Sequence, residues 1–177
     1  ELEETRGWIT RHRATRLIRL KGNRRLSATL AVGSVFSAVA GFTIEIDHRG
    51  EMWSTATHPT LTTPSYPLVL KTTGDKGGCL VVTVSILKDI VPEVETDLKS
   101  HGLTGAPRLH IVGESAITSP EHANVAARAI KDSISEALVR TGGKQVHLFF
   151  AGPAFLALFL GHRLNATAPI QCYQRVS

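Results

Sequence analysis

Two stretches of the chain combine cations, glycine and helix starts in a way that could hold an anion. The first is Lys21-Gly22-Asn23-Arg24-Arg25, between a short apolar run, Thr15–Leu20, and a long run of small residues. A strand running into a helix has this pattern. Lys21, Arg24 and Arg25 around a helix start oppose the helix macrodipole, and an anion bound there reverses the sign of that argument. Side chains that simply reach solvent are the plain alternative. The second stretch is Gly152-Pro153-Ala154, after the apolar run 145–151. Gly152 permits close backbone approach, and Pro153 suits the first helical position. From Ala154 onward, free backbone N–H groups would point at a crevice. An ordinary strand-to-helix turn has the same composition. Lys88 and Ser115 stand at the mouths of neighbouring loops and rank below these two stretches.

Catalytic patterns are weak by comparison. Gly113-Glu114-Ser115-Ala116-Ile117 resembles a nucleophile elbow but lacks its second glycine, and the following helix begins late, at Ser119. The eight histidines (His12, His48, His58, His101, His110, His122, His147, His162) show neither His-Glu-x-x-His nor Cys/His ligand spacing, so no metal is expected. The glycine-rich dinucleotide and P-loop signatures are missing, and no cofactor is expected. Trp53, at the end of a hairpin, and Tyr66, in a long loop, each offer a ring on which a base could stack, with core packing as the competing use.

The chain that must position these residues has 177 residues, 42% hydrophobic and 20% charged. That is enough for one well-buried core or two small fused halves, and it excludes collagen, coiled coil and disorder. Two cysteines, Cys79 and Cys172, argue against a disulfide scaffold and fit a reducing cytoplasm. No signal peptide opens the chain, and a first residue other than Met reads as a piece of a longer protein. Residues 1–25 hold eight Lys/Arg against three acids, and the remainder carries twelve of each sign, so the whole net charge of +5 sits at the N-terminus. A phosphate-bearing partner fits that field. A solvated arm is the alternative, and a DNA-binding use would show steep salt dependence. Residues 26–44 carry no charge, but five Ser/Thr and two glycines interrupt them. They read as a closely packed helix ending near Gly41, not a membrane span.

The periodicities predict strands at 15–20, 42–47 and 51–55, the last two forming a hairpin through His48-Arg49-Gly50. Residues 56–78, with three prolines and three glycines, read as a long loop or seam. Strands follow at 80–86, 108–112, 145–151 and 170–173, with helices at 91–101, 120–141 and 153–162 between them. Strands alternating with helices imply an α/β fold with a mostly parallel sheet covered on both faces. If the later strands are wound 2-1-3-4, the ligand-binding switch lies between 80–86 and 145–151, next to Lys88 and Gly152-Pro153-Ala154.

The C-terminal quarter carries a resemblance. His147-Leu-Phe-Phe-Ala-Gly-Pro-Ala154, Ala157-Leu-Phe-Leu-Gly-His-Arg-Leu-Asn165 and Pro169-Ile-Gln-Cys-Tyr173 are similar to the closing motif of SAVED domains. The strand 42–47, Trp53 and the strand 80–86 fit the same pattern. The resemblance covers roughly residues 8–177. It implies two fused Rossmann-like (CARF-like) halves, 8–78 and 79–177, with residues 1–7 as a linker from an N-terminal effector. It implies a sensor of a cyclic di- or trinucleotide, without catalysis of its own, that forms homo-oligomers on ligand binding and switches on an effector during phage infection. Lys21, Arg24, Arg25, Gly152, Pro153 and Ala154 are then expected at phosphate, Trp53 at a base, and Lys88 and Ser115 nearby. A small Rossmann-like hydrolase or transferase on a nucleotide is the alternative reading.

Overall fold

The computed structural model describes residues 1–22 and 25–173. In chain order the elements are α1 (Leu2–His12), β1 (Leu17–Leu20), α2 (Leu26–Val35), β2 (Thr43–His48), β3 (Glu51–Ser54), β4 (Val69–Thr73), β5 (Leu80–Ile86), α3 (Val91–Asp97), β6 (Arg108–Gly113), α4 (Pro120–Thr141), β7 (Val146–Ala151), α5 (Ala154–Arg163) and β8 (Ile170–Tyr173). The chain divides into two compact units that interleave in sequence. One comprises Glu1–Ser65, Ile117–Arg128 and Ala154–Asn165. The other comprises Tyr66–Ala116, Ala129–Pro153 and the described residues of Ala166–Ser177.

The first unit is built on the sheet β1-β2-β3. β1 runs parallel to β2, with Leu17 opposite Thr43 and Leu20 opposite Ile46. In β2 the alternation Thr43-Ile44-Glu45-Ile46 turns both isoleucines inward, where they are buried. β3 returns antiparallel through Arg49 and Gly50, both in the left-handed region (φ 55° and 84°), as a two-residue hairpin turn requires. α2 and α5 pack together along their lengths because their small residues meet. A Cβ on Gly33 would strike the Leu158 carbonyl oxygen, and one on Gly161 would strike that of Leu30. α2 stops at Val35, earlier than the expected end near Gly41. Phe36 leaves helical geometry (φ −95°, ψ 58°) and is buried with its ring edge-on to Phe42, 5.1 Å away. α1 runs from Leu2 to His12, taking in residues 2–7 of the segment 1–7 expected to be a linker, and buries no residue.

The second unit holds a five-stranded sheet in the order β4-β6-β5-β7-β8. β6, β5, β7 and β8 are mutually parallel, and their order is the 2-1-3-4 winding. Every residue of β5 is buried, which explains its unbroken apolar run. Val81, Val94, Leu98, Leu103 and Phe149 form a core cluster on this sheet. β4 is a correction to the expected loop over 56–78: Val69–Thr73 pairs antiparallel with β6 as an edge strand. All five of its residues are exposed, so no alternation marks it. Both sheets therefore mix parallel pairing with one antiparallel strand. α4 begins as its capping residues dictate, with Ser119 Oγ accepting from the His122 N–H at 3.2 Å. It closes on Gly142 at φ 71°.

Candidate functional site

The carboxyl ends of the parallel strands β1 and β2 open on a cleft of about 550 Å3. Its lining comes from four places in the first unit. Lys21 and Gly22 form the turn after β1, and Thr29 stands in the first turn of α2. Ile46, Asp47, His48 and Arg49 are the end of β2 and its hairpin turn, and Ala154 is the first residue of α5. Neither α2 nor α5 has an acid in its first turn, whereas α1, α3 and α4 carry Glu3 and Glu4, Glu93 and Glu121 there. No acid in their first turns offsets the positive ends of the two helices at the cleft, a condition that favours an anion at a helix start. Lys21 and Arg49 add two cations.

The hairpin wall has different chemistry. Asp47 Oδ1 accepts from the Gly50 N–H at 3.1 Å and steadies the turn. The His48 ring meets Trp53 at 4.7 Å and Phe155 at 4.7 Å, and Trp53 and Phe155 lie 4.6 Å apart. Burial, and then the Arg49 charge, hold the His48 pKa below its ordinary value, so the ring is neutral at pH 7. Trp53 is 4% exposed, and its indole N–H has no hydrogen-bond partner among the described residues. The ring expected to stack on a base packs in the core against both His48 and Phe155. In the same unit a buried polar network pins the chain after β3. Asn124 Nδ2 donates to Thr57 O at 2.7 Å, and Arg163 Nη2 donates to Asn124 Oδ1 at 2.6 Å.

Of the residues singled out from sequence, the structure brings Lys21 and Ala154 to one cleft. Arg25 is the exposed residue preceding α2, and its carbonyl accepts from the Thr29 N–H and hydroxyl. Arg24 lies outside the described residues. Gly152, Pro153, Lys88 and Ser115 belong to the second unit. There Lys88 pairs with Glu93 at 3.7 Å on the surface, and the Ser115 carbonyl accepts from the Tyr66 hydroxyl at 2.8 Å. A Cβ on Gly152 would come within 3.2 Å of Ile86 Cβ and of the Phe150 ring, so packing within the protein already explains glycine there. Asp47, read as the end of a strand, and His48 and Arg49, read as its hairpin turn, are among the cleft residues that sequence reasoning did not single out. Their signal was a turn at the carboxyl end of a strand parallel to β1, built with Arg at a position where Asn or Gly is easier. Among the described residues no group of three or more His, Cys, Asp and Glu is placed to hold a metal ion, and no helix is long and apolar enough to cross a membrane.

The model of one family, the SMODS-associated and fused to various effectors sensor domain, matches residues 1–177. The chain belongs to the SAVED family. As a SAVED domain it is a ligand sensor by family, in keeping with the resemblance in its C-terminal quarter. CD-NTase-associated protein 4 of Acinetobacter sp. is 27% identical over 161 residues, covering 91% of this chain and 34% of that protein. This SAVED domain thus spans about a third of the length of the curated relatives it matches. Two solved structures of the Acinetobacter baumannii Cap4 SAVED/CARF-domain containing receptor superpose closely. The one with the cyclic trinucleotide 2′3′3′-cAAA has a TM-score of 0.88 at 26% identity, covering 99% of this chain and 39% of that one. The one with 3′3′3′-cAAA has a TM-score of 0.87 at 26% identity, covering 99% and 40%. The two-sheet α/β architecture is therefore that of the SAVED/CARF receptors.

Proposed function

We propose that this SAVED domain binds a cyclic oligonucleotide, a cyclic trinucleotide first among them, in the cleft at the carboxyl ends of β1 and β2. The observation that carries this reading is the convergence of Lys21, Arg49 and two acid-free helix starts, α2 and α5, on one 550 Å3 space. Phosphates fit the helix starts and cations. The cyclic trinucleotides held by the two Acinetobacter baumannii receptors supply the ligand class. In the full-length protein, occupancy drives homo-oligomerisation and switches on a fused effector in anti-phage defence, in the cytoplasm. Arg25 reinforces the positive field at the start of α2, and Gly152 and Pro153 lead the chain into α5.

Calorimetry with 3′3′3′-cAAA and 2′3′3′-cAAA tests this, with the ligand recovered by chromatography and sedimentation run alongside. Saturable binding, an unaltered ligand and a larger particle when ligand is present are expected. Degradation at a rate scaling with protein concentration would overturn the sensor reading. Absence of binding across a panel of cyclic di- and trinucleotides would overturn the ligand class.

A further inference from the structure

Phosphate accounts for only part of the cleft's chemistry. Lys21, Arg49 and the starts of α2 and α5 attract an anion, but Asp47, in the same lining, repels one. The hairpin does not require that charge. The Gly50 N–H needs one acceptor, which Asn or Ser supplies without a charge. An ionised carboxylate has two oxygens and about four acceptor sites, so the bond to Gly50 leaves Asp47 with capacity to accept more. In a cleft for a polyanion, a carboxylate gains a favourable contact with the ligand where the ligand presents a donor.

The position of Asp47 indicates which part of the ligand that is. β1, the Lys21-Gly22 turn, α2 and the parallel β2 form one strand–helix–strand unit. In the dinucleotide-binding version of this unit the phosphate lies at the helix start and an acid about twenty residues on accepts from the ribose, an arrangement that Asp47 matches in place though the glycine signature is missing. Asp47 is the penultimate residue of β2. Its neighbour His48 is wedged against Trp53 and Phe155, which holds this strand end in place.

We infer that Asp47 is the specificity residue of the cleft, accepting a hydrogen bond from a nucleoside donor, either a ribose hydroxyl or the exocyclic amine of adenine. This rests on the cyclic-oligonucleotide reading. The experiment is calorimetry of the parent protein, Asp47→Ala and Asp47→Asn against 3′3′3′-cAAA, its 2′-deoxy analogue and its inosine analogue. The parent is expected to favour 3′3′3′-cAAA over one analogue by about tenfold to a hundredfold, the worth of a hydrogen bond to a charged group. Asp47→Ala loses about that factor on 3′3′3′-cAAA and no longer distinguishes it from that analogue. Loss confined to the deoxy arm assigns the hydroxyl, and loss confined to the inosine arm assigns the amine. Asp47→Asn keeps the acceptor for Gly50 and decides the matter if Asp47→Ala melts early. Unchanged or tighter binding of 3′3′3′-cAAA by the folded variants, or discrimination that survives them, overturns the assignment and leaves the sensor reading intact. Failure of the parent to bind any of the three overturns both.

Discussion

Lys21 and Gly152 both stand beside helix starts, yet the structure gives them different work. Lys21 is an exposed side chain lining the cleft, so Lys21→Glu should leave the melting temperature within the small range typical of surface substitutions. Binding of 3′3′3′-cAAA should fall by more than the 1.5–3 kcal/mol of roughly one charge-assisted hydrogen bond, because attraction becomes repulsion. Titration calorimetry and a thermal melt on one sample check both halves, and parental affinity would remove Lys21 from the site. Gly152 is the reverse case. With Ile86 and Phe150 already 3.2 Å from where its Cβ would sit, Gly152→Val overpacks the second unit. A loss of roughly 1–3 kcal/mol in denaturant unfolding is expected. Trp53 belongs with the packing residues. Trp53→Phe keeps an aromatic ring beside His48 and Phe155 and removes a buried N–H that has no partner among the described residues. It should therefore cost well below the roughly 3–5 kcal/mol expected of Trp53→Ala, as unfolding midpoints would show. Trinucleotide affinity lost by a fully folded Trp53→Phe would return the indole to the ligand.

The helices that frame the cleft depend on backbone contact. Alanine at Gly161 would gain about 1 kcal/mol of helix propensity in isolation. In α5 its Cβ runs into the Leu30 carbonyl of α2, backbone that can yield only if the helices separate. Packing should win, so Gly161→Ala is expected to destabilise by about 1–3 kcal/mol in thermal melts. Because Thr29 and Ala154 ride on these two helices, weaker trinucleotide binding by the folded fraction should accompany it. A variant as stable as the parent would mean that α2 and α5 are less tightly seated. The small residues that allow this contact were visible in sequence as an uncharged run, as were the alternation of β2 and the apolar block of β5. β4 was invisible because an exposed edge strand imposes no periodicity, and Pro and Gly punctuate its surroundings. α1 was missed because it buries nothing, so no stripe marks it. At the site, Lys21 and Ala154 were legible because helix starts follow local rules. The hairpin residues were hidden because turn chemistry accounts for them fully until the parallel pairing of β1 with β2 places that turn at the carboxyl edge.

Across the whole molecule the titration of four histidines should shape the response to mild acid. His48 and His162 in the first unit, and His110 and His147 in the second, all have pKa values lowered from the ordinary 6.5, with burial the largest cause in each. His162 is the clearest by geometry. It is 4% exposed, its Nε2–H donates to Phe42 O at 2.9 Å, and Nδ1 has no partner among the described residues. The bond to Phe42 raises its pKa, but burial outweighs it. Protonation would bury a charge and a second N–H with no acceptor. The unfolded chain takes up these protons near pH 6.5, before the folded protein does. Where the unfolded state binds more protons, stability rises with pH, so here it falls as pH drops from 6.5 toward the lowered folded values. Above pH 7 these groups are neutral in both states and contribute no slope. Urea midpoints at pH 7.5, 6.5 and 5.5 should therefore be level and then decline, at constant m-value. His162→Gln should flatten part of that decline. Ligand binding should respond with the opposite sign, because protonated His48 adds a cation to the wall of a phosphate-binding cleft. Affinity for 3′3′3′-cAAA should thus tighten over the interval in which the fold weakens. A midpoint that stays level or rises down to pH 5.5 would mean that these histidines are hydrated in solution, and the packing assigned to His162 would be wrong.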